Sequence, residues 1–226
     1  MSQLIKYTTR PFPNLISETT GFFINTEIII KAIEYTNRLI AELPKTVYSN
    51  IDYKATSGLI GACFCTGISL NSNNNAIVNP NEKGYPDIIP TIAITDKQAN
   101  LMNYPKGIEV KCTSGSVSTD SKIKKFSPRL EHINQITWQA HHRDGKHLLG
   151  VIWDFIEEDS LPVISGVFYS NQLKQEDWGK ISGISGRNTK VCSLLSSGKK
   201  KMGDGWIAII ENPNYKSTYL KKLTGK

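Results

Sequence analysis

The spacing of apolar and polar positions changes at a polar stretch rich in asparagine, residues 71–81. Before it, apolar side chains recur at helical spacing, and Asn25 is placed to cap a helix that runs to about Leu43 and ends at Pro44. Residues 57–68 are small and apolar, which predicts a buried element without deciding between helix and strand. The polar stretch itself is predicted to be a long loop.

After this loop, short runs rich in Ile, Val and Thr between turn residues predict β-strands. A helix is predicted at residues 128–141, and the Gly/Ser-rich basic residues 182–205 are predicted to be a loop. The predicted strands are 87–95, 107–113, 147–156, 161–169 and 206–211.

Strands that are apolar on both faces and that alternate with helices indicate a mixed α/β (α+β) protein, in which a central mixed β-sheet is flanked by helices. At about 100–200 residues per domain, 226 residues make one large domain or two small ones. The chain has no convincing linker, so we expect a single domain over residues 1–226.

The apolar stretches are too short for a membrane protein. The longest, residues 28–30 and 148–153, fall far below the roughly 20 residues of a bilayer-spanning helix. The first ten residues lack the apolar core, about 7–15 residues long, of a secretory signal. We therefore expect a cytoplasmic protein without a membrane partner.

The four cysteines do not suggest a disulfide framework, and no C-x-x-C pair typical of zinc sites occurs. We expect them to be reduced, buried, small apolar residues. Cys63 and Cys65, together with the four histidines of the chain, leave a metal cluster as an alternative.

Positive charge is concentrated near the C-terminus. Residues 180–226 hold ten of the 27 basic side chains and two of the 20 acidic ones. Such a concentration of positive charge favours a polyanionic partner, because Lys and Arg side chains that neutralise phosphates release condensed counterions. The alternative is a solvated basic tail that serves solubility.

Two short motifs carry the clearest chemistry: Asp87 follows Pro86, and Glu109 precedes Lys111 by two positions. Alternate side chains of a strand point to opposite faces, so Glu109 and Lys111 share a face while Val110 enters the core on the other. If Asp87 begins the neighbouring strand, two carboxylates converge beside one lysine.

This trio suits the hydrolysis of a phosphodiester. Two carboxylates can hold Mg²⁺, with waters and a phosphate oxygen completing its shell, and the Val110 carbonyl is a further candidate ligand. The ion stabilises transition-state charge and acidifies the attacking water, while Lys111 orients that water or neutralises developing charge.

The residues Pro86-Asp87 and Glu109-Val110-Lys111 resemble the PD-(D/E)xK nuclease superfamily, and the chain length is similar to that of a type II restriction endonuclease. The resemblance implies a restriction-endonuclease-like mixed sheet, Mg²⁺-dependent cleavage of double-stranded DNA, and a homodimer that acts on a palindromic site. It also implies that Asp87 and Glu109 are metal ligands and that Lys111 is the catalytic lysine.

Members of this superfamily often add an acid from an early helix. The resemblance makes Glu34 our choice for this catalytic acid over Glu27 and Glu42. The alternative is that Glu34 forms an ordinary surface pair with Arg38, four residues later on the same helix.

Small residues at 182–186 would let the backbone approach a DNA groove, and Arg and Asn are side chains that bind guanine and adenine edges. The charge cluster at 199–201 lacks interleaved aromatic residues and is predicted to contact phosphates. The alternative is that the Gly/Ser-rich stretch is a simple connector. The candidates for base recognition are Arg187, Asn188, Thr189 and Lys190, and those for phosphate contact are Lys199, Lys200 and Lys201.

Residues 139–144 carry two adjacent histidines. We expect them to end a helix, where His and Arg complement the dipole, and we favour this over a metal-ligand or general-base role for His141 and His142. A phosphate contact from His142 or Arg143 remains a candidate interaction. No segment matches G-x-x-x-x-G-K-[ST], so we expect no nucleotide cofactor.

Two other functions fit these features. One is a structure-specific repair or junction nuclease of the same superfamily. The other is a basic DNA-binding protein without activity, in which Glu109 and Lys111 form only a structural ion pair.

Overall fold

The computed structural model describes residues 5–11, 18–115, 120, 122–131, 136–183 and 190–224. Its strands are β1 (Tyr7–Thr9), β2 (Ala76–Val78), β3 (Ile88–Pro90), β4 (Glu109–Thr113), β5 (Thr137–Gln139), β6 (Leu148–Phe155), β7 (Pro162–Ser170), β8 (Val191–Ser193) and β9 (Trp206–Ile210). Its α-helices are α1 (Thr26–Glu42), α2 (Lys45–Asn50), α3 (Tyr53–Asn71), α4 (Ile92–Thr95), α5 (Ser196–Asp204) and α6 (Pro213–Thr224).

The largest sheet has five strands in the order β1-β9-β7-β6-β4. Strand β4 runs parallel to β6, with Glu109 opposite Leu148, and the remaining pairs are antiparallel. The fold is therefore mixed α/β with a mixed central sheet flanked by helices, which confirms the predicted fold class.

Two smaller pairings lie outside this sheet in the described ranges. Strands β2 and β3 form an antiparallel pair, and β5 pairs with β8 in the same sense. An antiparallel bridge between Ile88 and Ile108 places β3 beside the start of β4. This contact brings the segment containing Asp87 to the edge of the five-stranded sheet.

Alternation along β6 divides the core between the two faces of the sheet. Leu149 and Val151 pack in the cluster that includes apolar residues of α1 and α3. Leu148 and Ile152 pack in the cluster that includes residues of α5, α6, β5 and β8. Because Glu109 lies opposite Leu148, its side chain projects from the face of the sheet that carries the cluster with Leu148. Val110 and Cys112 project from the other face and pack against the cluster with Leu149.

Several sequence predictions are confirmed. The Asn25 side chain accepts a hydrogen bond from the Ile28 N–H at 2.9 Å, and α1 ends at Glu42, two residues before Pro44. The undecided residues 57–68 lie inside helix α3. The four cysteines are free as predicted, but only Cys65 and Cys192 are buried, whereas Cys63 and Cys112 are half-buried.

The predicted helix at 128–141 is wrong. Residues 132–135 lie outside the described part of the chain, and the segment after them forms strand β5 and a short 3₁₀ helix, Ala140–Asp144. Trp138 pairs with Cys192 on β8 and packs edge-on against Trp178. Long-range pairing thus overrides the local helical spacing.

Three other boundaries differ from the prediction. The strand predicted at 87–95 ends at Pro90 and is followed by α4, and the predicted polar loop contains β2. The predicted loop at 182–205 contains β8 and α5. Helix α5 accepts glycine because a Cβ at Gly198 would lie only 2.9 Å from the Asp177 carbonyl oxygen, so close packing there requires a residue without one.

Among the helices of the described ranges, none combines the length and apolar character needed to span a membrane.

Candidate active site

Two hydrogen bonds from backbone N–H groups to carboxylates join the segments that carry Asp87 and Glu109. The Asp87 N–H donates to Glu109 Oε2 at 3.2 Å, and the Val110 N–H donates to Asp87 Oδ2 at 2.8 Å. Asp87 immediately precedes β3 and Glu109 begins β4, so the bridge between these strands creates the contact. The structure therefore brings together the two carboxylates that the sequence singled out.

These two acidic groups lie in a low-dielectric environment. Burial raises the pKa of Asp87 to about 7, and the negative charge of Glu109 adds to the rise. The hydrogen bond from Val110 and the charge of His141 act in the opposite direction, whereas a hydrogen bond with the Glu109 carboxyl raises the pKa further. A half-buried aspartate with a raised pKa, crowded against a second carboxyl group, marks a candidate cation site.

Lys111 is half-buried on β4, the strand that begins with Glu109. Burial lowers its pKa, the neighbouring Cys112 raises it, and the charge of Lys54 lowers it further. The hydrogen bond to Glu109 raises the pKa of His141 and burial lowers that of His142, and the positive charge of Lys111 acts against protonation of both rings. The ammonium group therefore acts on the same cluster as Glu109.

The Val110 backbone faces the edge of β4 that carries Asp87. In a strand, the N–H and C=O of one residue point in the same lateral direction, and the Val110 N–H points to Asp87. The Val110 carbonyl therefore faces this edge as well, which is compatible with its predicted role as a ligand.

Two histidines complete the cluster. His141 Nε2 lies 3.0 Å from Glu109 Oε1, and His142 Nε2 lies 3.5 Å from the same oxygen. The hydrogen bond to Glu109 raises the pKa of His141, whereas burial and the charges of His141 and Lys111 lower the pKa of His142 to about 3. His142 is therefore a neutral ring at physiological pH.

The helix-end interpretation of residues 139–144 is wrong. His142 is 3% exposed and its Nδ1 bonds to the Gln139 carbonyl at 3.0 Å, so the predicted phosphate contact from this side chain does not fit its burial. The metal-ligand alternative fits better, because donor atoms of Glu109, His141 and His142 all lie within 4.8 Å of one another. The pair of adjacent histidines in the sequence indicated this site. The metal-ligand interpretation was not favoured because the segment was predicted, wrongly, to end a helix.

Tyr85 is a neighbour that sequence reasoning missed. Its ring packs edge-on against His141 with a centroid distance of 6.1 Å. Burial raises the pKa of its phenol, and the charges of Glu109, Asp144 and Asp87 raise it further. The neutral phenol thus forms part of the wall around the carboxylates.

Glu34 lies elsewhere, contrary to the prediction that it joins the site. It is exposed on α1. Burial raises the pKa of Tyr7, and the charge of Glu34 adds to that rise, so Glu34 lies beside β1. Strand β1 forms the opposite edge of the sheet from β4. Helix α3, which packs on β4, contains no acidic residue between 53 and 71.

A cleft of about 550 Å³ adjoins the site at Gly145, where an added Cβ would lie 2.9 Å from the Tyr85 hydroxyl. Three of its lining residues are cationic, Arg143, Lys146 and Lys174, and one, Asp144, is acidic. The Arg143 guanidinium donates to Gln175 Oε1 at 2.7 Å. Arg143, which is predicted to contact a phosphate, therefore lines a cleft beside the carboxylates.

The other predicted DNA contacts differ in their placement. Arg187, Asn188 and Thr189 lie outside the described residues. Lys190 is exposed, and its carbonyl accepts a hydrogen bond from the Ala140 N–H at 3.0 Å, next to His141. On α5, Lys200 is exposed and Lys199 is half-buried.

Lys201 has a structural partner. Its Nζ lies 2.6 Å from Asp177 Oδ2, and the Asp177 side chain is 1% exposed. Lys201 therefore neutralises a buried acid, and its predicted phosphate contact would compete with this ion pair.

Comparisons of the chain with protein-family models, with curated proteins and with solved structures give no match. Any functional proposal for this chain therefore rests on the site residues themselves.

Proposed function

We propose that the protein is a Mg²⁺-dependent endodeoxyribonuclease of the type II restriction kind. The observation that carries the proposal is the pair of hydrogen bonds that fixes Asp87 and Glu109 side by side, with Lys111 two residues further along β4. Two carboxylates and a neighbouring ammonium group on rigid strands suit the hydrolysis of a phosphodiester.

The residues fit a divalent cation. Asp87 and Glu109 offer carboxylate oxygens and Val110 offers a carbonyl, and oxygen ligands are those that Mg²⁺ prefers. When bound, the ion would polarise the phosphate and lower the pKa of a water molecule. The raised pKa of Asp87 indicates that nearby positive charges do not offset the negative charge of the two carboxyl groups.

The protein groups have separate roles in this proposal. The Val110 N–H holds Asp87 in place through the bond to Oδ2. Lys111 neutralises charge on the phosphate or orients the attacking water. Tyr85 shields the carboxylates on the side of His141, where the two rings pack.

The proposed substrate is double-stranded DNA. Arg143, Lys146 and Lys174 line a cleft beside the carboxylates, and cationic clefts attract phosphates. Lys199 and Lys200 are proposed to contact the backbone, and Arg187, Asn188, Thr189 and Lys190 to contact bases. One site cuts one strand, so cutting both strands of a palindrome requires a symmetric homodimer. Such an enzyme acts on DNA in the cytoplasm.

Digestion of a long DNA of known sequence with Mg²⁺, followed by reading of the fragment ends, tests this function. We expect discrete fragments that share one palindromic sequence, and no cleavage with a chelator. Asp87→Asn should be inactive yet still bind the same DNA when Ca²⁺ replaces Mg²⁺. Fragments without a common end would instead indicate a structure-specific nuclease. Binding without any nicking of supercoiled DNA would indicate a non-catalytic DNA-binding protein.

A further inference from the structure

The orientation of the His142 ring is set by a backbone contact. A carbonyl oxygen only accepts hydrogen bonds, so Nδ1 of His142 must donate to the Gln139 carbonyl at 3.0 Å. With the Nδ1 proton used in this way, Nε2 is the ring nitrogen that can bind a metal ion. A backbone acceptor on one imidazole nitrogen is the usual arrangement that presents the other nitrogen to a metal.

This Nε2 atom faces Glu109 Oε1 at 3.5 Å, which is longer than an ordinary N–H···O hydrogen bond. Both are atoms of the kinds that bind metal ions in proteins, and both side chains are buried, at 3% and 5% exposure. Two such atoms facing each other inside a protein are stabilised when a cation lies between them.

The spacing of the donor atoms suits direct coordination. Ligands held at about 2.0–2.2 Å from one metal ion in tetrahedral or octahedral geometry are separated by about 3.0–3.5 Å. Glu109 Oε1 lies 3.0 Å from His141 Nε2 and 3.5 Å from His142 Nε2. These two separations fall within that range, and the donor atoms of the three residues all lie within 4.8 Å of one another, so side-chain adjustment would place one ion among them.

The local backbone holds the two histidines in register. The Ala140 N–H bonds to the Lys190 carbonyl at 3.0 Å, and the Gly145 N–H bonds to the His142 carbonyl at 3.2 Å. The His141 side chain is 50% exposed, so one side of the cluster is open to water or to a substrate. An open side is a feature of catalytic rather than purely structural metal sites.

The donor set selects the kind of ion. Two imidazole nitrogens and one carboxylate oxygen favour Zn²⁺, Fe²⁺, Co²⁺ or Ni²⁺, whereas Mg²⁺ prefers oxygen ligands. We propose that Glu109, His141 and His142 bind one transition-metal dication and prefer it to Mg²⁺. If this ion is the one used in cleavage, the inference rests on the proposed function. Ion binding in the absence of DNA tests the metal site separately.

The experiment is a titration of the full-length, chelator-stripped protein with Co²⁺, followed by visible absorption, and with Zn²⁺ and Mg²⁺, followed by calorimetry. We expect one Co²⁺ and one Zn²⁺ per chain, and Zn²⁺ binding about a hundredfold tighter than Mg²⁺ binding. His141→Ala should weaken Zn²⁺ binding at least about tenfold, and because His141 is half-exposed this variant should fold. Asp144→Asn, which changes an exposed carboxylate on the same 3₁₀ helix, should leave Zn²⁺ binding unchanged.

The outcomes separate this inference from the nuclease proposal. Tight Zn²⁺ binding that is lost in His141→Ala supports the metal site even if no metal supports DNA cleavage, a result that would reject the nuclease. Equal affinities for Zn²⁺ and Mg²⁺, or Zn²⁺ binding that His141→Ala leaves unchanged, would overturn the metal site. Cleavage with Mg²⁺ by a protein that binds no Zn²⁺ or Co²⁺ would also overturn it while supporting the nuclease.

Discussion

Asp87 donates its backbone N–H to the Glu109 carboxylate at 3.2 Å, across a sequence separation of 22 residues. A second hydrogen bond runs in the opposite direction: the Val110 N–H donates to the Asp87 carboxylate at 2.8 Å. Each carboxylate is thus held by the backbone of the segment that carries the other. The two acids are consequently fixed in position before any ligand arrives, as a preorganised site requires.

Lys111 is expected to be needed for catalysis and not for DNA binding. Its charge acts on the cluster that contains Glu109, His141 and His142, so Lys111→Met removes positive charge from the reacting region. We expect the cleavage rate of bound DNA to fall about 10²–10³-fold, since groups that stabilise developing charge contribute this much. Single-turnover cleavage with Mg²⁺ and DNA binding with Ca²⁺ measure the two effects.

Lys54→Met is the matched control for Lys111→Met, because Lys54 is an exposed lysine close enough to influence the Lys111 pKa. It should cleave at nearly the wild-type rate. A Lys111→Met protein that cleaves as fast as Lys54→Met would refute the proposed role of Lys111.

Glu34 is expected to be dispensable for cleavage. It lies beside Tyr7 on β1, and β1 and β4 are the two opposite edges of the sheet. Adjacent strands are about 4.8 Å apart, so a charge at one edge is too distant to bind an ion at the other. Glu34→Gln should therefore cleave DNA within about twofold of the wild-type rate, whereas Asp87→Asn should not cleave. Loss of activity in Glu34→Gln would mean that the acid reaches the site in the DNA complex.

Lys201 and Lys200 should differ in their effect on stability. Lys201 pairs at 2.6 Å with Asp177, which also accepts a hydrogen bond from the Lys174 N–H at 2.7 Å. Burial acts to raise the pKa of Asp177, but these bonds outweigh it and hold the pKa below its usual value. Lys201→Met would leave a buried carboxylate without its cation.

We expect Lys201→Met to lower the free energy of unfolding by about 2–3 kcal/mol, somewhat less than for a fully buried pair because Lys201 is 29% exposed. Lys200→Met changes an exposed side chain on the same helix and should cost less than about 0.5 kcal/mol. Urea unfolding of both variants measures the difference. Equal stabilities would show that the Lys201–Asp177 pair contributes nothing.

Asp154 should make the protein less stable as the pH rises. The side chain is fully buried and accepts hydrogen bonds from the Arg129 and Phe155 N–H groups and from the Tyr215 hydroxyl. Burial raises its pKa from 3.8 to about 6, against the opposing effect of these donors and of the Arg129 charge. The folded protein therefore binds this proton more tightly than the unfolded chain does.

The contribution of Asp154 to stability is complete below pH 3.8 and is lost as the pH rises to about 6. A shift of about two pKa units corresponds to about 3 kcal/mol. Asp154→Asn removes the titration, so the stability of this variant relative to the wild type should rise by about this amount between about pH 3.5 and pH 7. Urea unfolding of both proteins across this pH range provides the measurement, and a difference that does not vary with pH would contradict the assignment.

The sequence alone determined the elements that depend on neighbouring residues. Asn25 and Pro44 bound α1 because a cap and a missing N–H act within one helical turn. The two-residue period of a strand puts Glu109 and Lys111 on one face whatever packs around them. The adjacency of Asp87 and Glu109 was also within reach, since two consecutive strand patterns are frequently neighbours in a sheet.

The tertiary structure decided which distant groups meet. His141 reaches Glu109 across 32 residues only because Trp138 and its neighbours pair with β8 and the next residues turn as a 3₁₀ helix. Glu34 was chosen from the family resemblance, which implies an acid on an early helix but does not specify which strands α1 covers. Contacts of this kind depend on the packing of the whole chain, and no local pattern of side chains encodes them.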